Sequence, residues 1–176
     1  MEEKTFMNQE GEYGKYIMQD LILPETHKNP EILARYARFG KRIHWIDGNN
    51  MPGCFQMNTS WYFGPNKPNI QEAVNSAVGG AVSNVSRPHV HDFDEILGFY
   101  GSNPDDMYDL GGEIEIHLNG EKHILTKSTL IYIPAGLHHV PLYINKVDRP
   151  IFHFSVVMNS EYTARNKTDG QLDVAK

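Results

Sequence analysis

The chain has 176 residues, 40% of them hydrophobic and 22% charged, with a formal net charge of -6 at pH 7. That length suits one domain able to bury roughly 70% of its unfolded surface. The aromatic content excludes global disorder, and the acidic balance disfavours nucleic-acid phosphates or anionic lipid as general partners. Cys54 is the single cysteine, which excludes an intrachain disulfide framework. The opening stretch 1-MEEKTFMNQEGEYGK-15 lacks the basic region and apolar core of a secretory signal, and no stretch approaches the roughly 20 apolar residues of a membrane span. The expectation is a cytoplasmic protein with neither nucleic acid nor membrane as partner.

Residues 16–23, YIMQDLIL, read as a first strand. Asn29 then offers a capping side chain, Pro30 suits the first helical position and Glu31 the first turn. With Ile32, Leu33, Tyr36 and Phe39 at helical spacing, these predict a helix over 30–39. Gly40 stands where a left-handed C-terminal residue is preferred. The basic residues of 35-RYARFGKR-42 lie at and beyond this helix end, where the dipole favours cations, and read as solvated rather than anion-binding.

From Lys41 onward the pattern becomes one of short strands and turns: 41–46, a turn at 47–53, a strand at 54–63 and a proline-bearing loop at 64–69. Within 54–63, Phe55, Met57, Thr59, Trp61 and Phe63 alternate with Cys54, Gln56, Asn58, Ser60 and Tyr62, which predicts the first set inward and the second toward solvent. Residues 70–80 suit a short helix stopped by Gly79 and Gly80. A hairpin follows over 112–126, turned by Asn119-Gly120, with His117 sharing an exposed face with Glu113 and Glu115. Further strands are expected at 129–134, 140–145 and 150–158, the last with Phe152 and Phe154 inward and His153 outward. The polar tail 159–176 has too few large apolar residues to build structure by itself. Many short strands and little helix suggest a sandwich or barrel.

Two stretches concentrate chemistry. In 87-RPHVHDFDE-95, an extended backbone sends His89, His91, Phe93 and Glu95 to one face and Val90, Asp92 and Asp94 to the other. Imidazoles and a carboxylate turned into a barrel are costly unless they are paired or hold a metal. In 134-PAGLHHVPLYIN-145, Pro134 and Gly136 make a tight turn, after which His138 and His139 open the next strand.

The order of these residues resembles the cupin superfamily, whose first motif ends in His-x-His, a short spacer and Glu, and whose second is Pro-x-Gly-x-x-His. The resemblance implies an all-β fold, a cupin-type double-stranded β-helix or jelly-roll barrel, here with an N-terminal extension containing one short helix. Carried over residue by residue, it places metal ligands at His89, His91, Glu95 and His139, with His138 a neighbour rather than a ligand. The cofactor implied is one divalent transition metal ion, Fe, Mn, Ni, Co or Zn. Residues 1–82 form the extension, with strands and a helix near 30–39, packing on or completing the barrel; 83–158 form the cupin core and 159–176 the tail, one domain in all. Ser83, Ser128 and Tyr143 depart from the family pattern, and the longer loop 101–112 is placed at the pocket mouth. Its Asp105, Asp106 and Asp109 lack a calcium-loop pattern and read as solvated.

Tyr143, Phe93, His138 and Trp61 are the candidates for the substrate pocket, Tyr143 being either a hydrogen-bond donor to a ligand or a core tyrosine. Cys54 reads as a small hydrophobe. No catalytic residue is singled out. Within the family such sites serve dioxygenases, isomerases, decarboxylases and lyases, so the expectation is a metal-dependent enzyme acting on a small oxygen-rich molecule such as an organic acid or enol. The alternative is a non-catalytic module that binds a ligand or metal. Cupins often pair, which makes a homodimer the expected assembly.

Overall fold

The computed structural model describes residues 10–66, 88–166 and 172–174. The predicted helix at 70–80 and Ser83 lie outside the described residues.

The helix α1 runs Pro30–Tyr36, shorter than the sequence pattern suggests. Its start follows the cap chemistry, with the Asn29 side chain accepting from the backbone N–H of Glu31 at 2.9 Å and of Ile32 at 3.3 Å. Its end comes early because Arg38 and Phe39 donate to carbonyls only three residues back, Arg35 and Tyr36, which tightens the last turn. Gly40 is not a left-handed cap. It opens the first strand, where a Cβ would meet the Tyr62 ring at 2.9 Å and the Trp61 carbonyl at 3.0 Å, so close approach rather than dihedral freedom demands glycine. Residues 16–23 form no strand: a 3-10 turn at Gly14–Tyr16 leads into irregular chain that leaves Ile17 and Leu21 on the surface.

The strands are β1 (Gly40–Ile46), β2 (Gln56–Tyr62), β3 (His89–Val90), β4 (Glu95–Tyr100), β5 (Asp109–Leu118), β6 (Glu121–Lys127), β7 (Thr129–Ile133), β8 (His139–Val147), β9 (Ile151–Val157), β10 (Thr163–Asn166) and β11 (Leu172–Val174). They form two antiparallel sheets, ordered β1-β2-β9-β4-β7 and β11-β10-β3-β8-β5-β6. Successive strands between β2 and β9 mostly alternate between the sheets, which is the jelly-roll way of closing a barrel around one core. Phe99, Leu110, Ile114, Ile144 and Ile151 fill that core. Asn119 and Gly120, with φ of 49° and 87°, make the tight β5–β6 turn that their sequence announces. The tail is not structureless: β10 adds to β3, pairing Arg165 with Val90 and Asn166 with His89.

One face of the five-stranded sheet is turned the opposite way from the sequence expectation. Gln56 and Ser60 are fully buried and Tyr62 nearly so, whereas Phe55 and Phe63 are about half exposed. The register explains the inversion, since Gln56, Ser60 and Tyr62 stand opposite Val157, His153 and Ile151 of β9. His153 therefore points inward, and Phe152 and Phe154 outward, reversing that expectation too. His153 suits the interior because its ring lies between Phe99 at 4.6 Å and Tyr62 at 5.2 Å, and its Nδ1 meets the Gly98 carbonyl at 2.9 Å. Outside, Phe154 lies over Gly98, where a Cβ would meet its ring at 2.2 Å. Arg42 also departs from the expectation of a solvated helix end, for it stands opposite Ser60 and is half-buried against Tyr36 and Trp45.

Candidate metal centre

His89 to Glu95 is not one continuous strand. β3 belongs to the six-stranded sheet and β4 to the five-stranded one, and a bend over Asp92 and Phe93 carries the chain across. His89 and His139 are direct cross-strand partners, while Glu95 arrives from the facing sheet. The four expected ligands converge because the chain crosses between layers, not because of simple alternation. Asp94 fixes the crossing from the other side: its carboxylate accepts from the Ala135 N–H and the Tyr132 hydroxyl, each at 2.9 Å. The His91 carbonyl accepts from the Gly136 N–H at 2.9 Å, in the turn where Gly136 has a φ of 80°. The two motifs are thus bonded to each other.

His89, His91 and His139 are all buried, and one ring nitrogen from each lies within 4.8 Å of the others. The outer nitrogens have backbone partners: His91 Nδ1 donates to the Thr163 carbonyl at 2.6 Å and His139 Nδ1 to the Leu137 carbonyl at 3.1 Å. Those bonds place the ring protons on Nδ1 and turn the Nε2 lone pairs inward, as outer partners do for metal-ligating histidines. Glu95 Oε2 lies 3.1 Å from His139 Nε2 and 3.4 Å from His91 Nε2, yet all three atoms lack hydrogen-bond geometry toward any partner. Lone pairs facing a buried carboxylate repel unless a cation lies among them, so the donor set fits a divalent transition ion. Burial works against ionising Glu95, and its carboxyl is lowered only where the facing His139 and His91 Nε2 atoms carry positive charge, the charge that a bound ion would supply in their place.

The other expected pocket residues are scattered. Phe93 stacks on the His91 ring at 5.1 Å and braces it. His138 sits beside the centre with its Nδ1 buried and unpartnered, and its carbonyl accepts from the Asn119 N–H at 2.6 Å. Trp61 lies on the outer face against Phe152 at 5.2 Å, away from the centre, because its neighbours Ser60 and Tyr62 take the inner positions. Tyr143 also faces away. A register shift between β5 and β8 separates His139 from Leu142 and Ile144, which are buried, so counting alternate residues from His139 gives the wrong side. The loop 101–108 lies at the far end of β4 from Glu95, not at the pocket mouth. Asp109 instead pairs with Arg149 and accepts from Asn103 at 3.2 Å.

One residue of the centre carries no sequence signal. Tyr162, in the tail, places its hydroxyl 3.3 Å from His89 Nε2 and its ring 4.9 Å from that of His91. Burial raises its phenol well above the ordinary value, so the hydroxyl stays protonated.

A jelly roll with three histidines and a glutamate converging between its sheets is a cupin-type barrel with a candidate metal centre. No family model and no curated protein matches the sequence. Among solved structures, the chain is similar to an oxalate oxidase in complex with the substrate analogue glycolate, at 14% identity over 83% of this chain and 60% of that one, with a TM-score of 0.42. It is also similar to the polyketide cyclase RemF from Streptomyces resistomycificus, at 14% identity over 76% of this chain and 75% of that one, with a TM-score of 0.41. A third is a sugar phosphate isomerase from a cupin superfamily from Silicibacter pomeroyi, at 13% identity over 89% of this chain and 80% of that one, with a TM-score of 0.44. These likenesses concern the fold, and the chain spans 60% of the length of that oxalate oxidase.

Proposed function

We propose that the chain is a metal-dependent enzyme acting on a small oxygen-rich molecule able to chelate the ion, with His89, His91, Glu95 and His139 as ligands. The observation that carries this reading is the inward turn of the His91 and His139 lone pairs against Glu95 Oε2, with no hydrogen bond among them. A bound divalent ion would supply Lewis-acid polarisation of a chelating oxygen. The protein's own residues would do the rest: Phe93 and the Thr163 carbonyl hold the His91 ring, and Tyr162 offers a protonated hydroxyl beside His89. The metals compatible with this donor set are Fe, Mn, Ni, Co and Zn.

The test begins with elemental analysis of protein purified without added metal, where about one ion per chain is expected. His91→Ala and His139→Ala should each lose most of it. A screen of carboxylates, enols and catechols against protein reloaded with each metal should then find turnover that chelation abolishes. Turnover indifferent to chelation and to His91→Ala would sink the proposal, and a ligand that binds but is recovered unchanged would favour a non-catalytic binding module.

We also propose a homodimer. Support comes from the outer face of the five-stranded sheet, where Tyr100, Leu130 and Tyr132 are exposed alongside Trp61, Phe152 and Phe154. Light scattering should give twice the 20.1 kDa of the chain. Leu130→Lys in that face should shift the particle toward the single-chain mass.

A further inference from the structure

The interior beside the metal centre holds more polar groups than the barrel satisfies. Gln56 and Ser60 are fully buried, yet both atoms of the Gln56 amide and the Ser60 hydroxyl lack a hydrogen-bond partner. Ser60 Oγ approaches the Tyr36 hydroxyl without hydrogen-bond geometry. On the neighbouring strand, Arg42 faces the same interior opposite Ser60. Its guanidinium lies 5.3 Å from the Tyr36 ring centre and 5.2 Å from that of Trp45, and its Nε is buried without a partner. Among the described residues no carboxylate forms an ion pair with it.

A guanidinium lying against aromatic rings keeps its N–H edge free, and that edge matches a carboxylate through two parallel bonds. The nearby Asp47 carboxylate is taken up by the Trp45 indole N–H and the backbone N–H groups of Asn49 and Asn50, so the guanidinium edge has no directly bonded counter-ion and suits an incoming anion. The nearby phenols do not supply one, because burial raises both Tyr36 and Tyr62 and keeps them neutral. The position also connects to the metal centre. Ser60 stands opposite Arg42 on one side and His153 on the other, and His153 packs on Phe99 and Gly98 of β4, the strand that Glu95 opens, so cation and ligand cluster line one interior.

We propose that Arg42 receives the carboxylate of an organic acid whose other end chelates the metal, so that the substrate class is small acids carrying a chelating oxygen pair and a second, separate carboxylate. Gln56 and Ser60 supply further hydrogen bonds to the ligand. This assignment rests on the metal-site reading above and narrows its substrate.

The test uses the metal-loaded full chain in a Trp61→Phe background, which leaves Trp45 as the one indole of the sequence's two, beside Arg42. The probes are paired 2-hydroxy acids with and without a distal carboxylate: malate against 2-hydroxybutyrate, and 2-hydroxyglutarate against 2-hydroxyvalerate. At least one diacid should bind roughly 10- to 100-fold more tightly than its pair, the range of charge-assisted bonds, with a change in Trp45 fluorescence. Arg42→Met should erase that preference with metal content unchanged, while Arg42→Lys should keep part of it. Equal binding within both pairs, failure of both diacids to bind, or a preference that survives Arg42→Met overturns the proposal. Should Arg42→Met not fold, the paired comparison in the Arg42-containing protein and in Arg42→Lys decides. Elemental analysis run in parallel reports separately on the metal-site reading, and glutarate titrated into metal-free protein tests Arg42 without it.

Discussion

Single buried histidines in this barrel have their ring orientation set by the contacts on their outer edges. His91 and His139 are committed to one tautomer by backbone carbonyls, and His153 is likewise fixed by the Gly98 carbonyl. For His153 the consequence reaches stability. Burial first, with the Arg42 charge in support, outweighs the Gly98 bond and lowers its pKa from 6.5 to about 4. As pH falls below 6.5 the unfolded chain takes up a proton at this position and the folded chain does not, so stability declines until the folded state also titrates near 4. The stabilisation is therefore present in full above about 6.5, and about 3 kcal/mol is lost by pH 4. Urea unfolding between pH 7.5 and 4.5 should show His153→Gln losing less stability on acidification than the unmodified chain; parallel losses would contradict the assignment.

At the scale of elements, β2 has its polar side inward. The alternation of Phe55, Met57, Thr59, Trp61 and Phe63 is real, but it marks the outer face of the sheet, where Trp61 meets Phe152. The inner face carries Gln56, Ser60 and Tyr62 because β9 presents Val157, His153 and Ile151 opposite them. Buried amide and hydroxyl groups without partners in such a wall cost stability. Gln56→Met, which removes an unpartnered amide at similar volume, is expected to raise unfolding free energy by about 1–3 kcal/mol. Chemical denaturation measures the gain. A loss of stability instead would show that the amide is satisfied in the folded protein. The tail acts as an element of the same centre, since pairing of β10 with β3 brings the Thr163 carbonyl to His91 and Tyr162 to His89.

For the molecule as a whole, the candidate metal centre draws on both sheets: His89 and His139 come from one, Glu95 from the other, and His91 from the crossing between them. An ion held there would bind the folded state and not the unfolded one, which would link folding to metal loading. At free metal one hundred times the dissociation constant, the gain is about 2.7 kcal/mol, or roughly 5–10 °C in Tm for a chain of this size. Thermal scans with and without added Mn or Zn should show that rise, and His91→Ala should remove it. An unchanged Tm at saturating metal would argue against a site spanning both sheets.

Local chemistry was legible in the sequence wherever a short stretch decides the outcome. The Asn29 cap, the Asn119-Gly120 turn, the Pro134–Gly136 turn and the two histidine motifs all depend on neighbours a few residues away. Amphipathic alternation in β2 and β9 was equally visible, but alternation states only that two faces differ. Which face turns inward is set by what the opposite strands present, and that depends on pairing across the whole chain. The same distance explains Tyr143, displaced by a register shift, and Tyr162, brought to His89 across 73 residues of sequence. Arg42 shows both limits at once: helix-end chemistry placed its charge at the surface, and only the pairing of β1 with β2 turned it toward the interior.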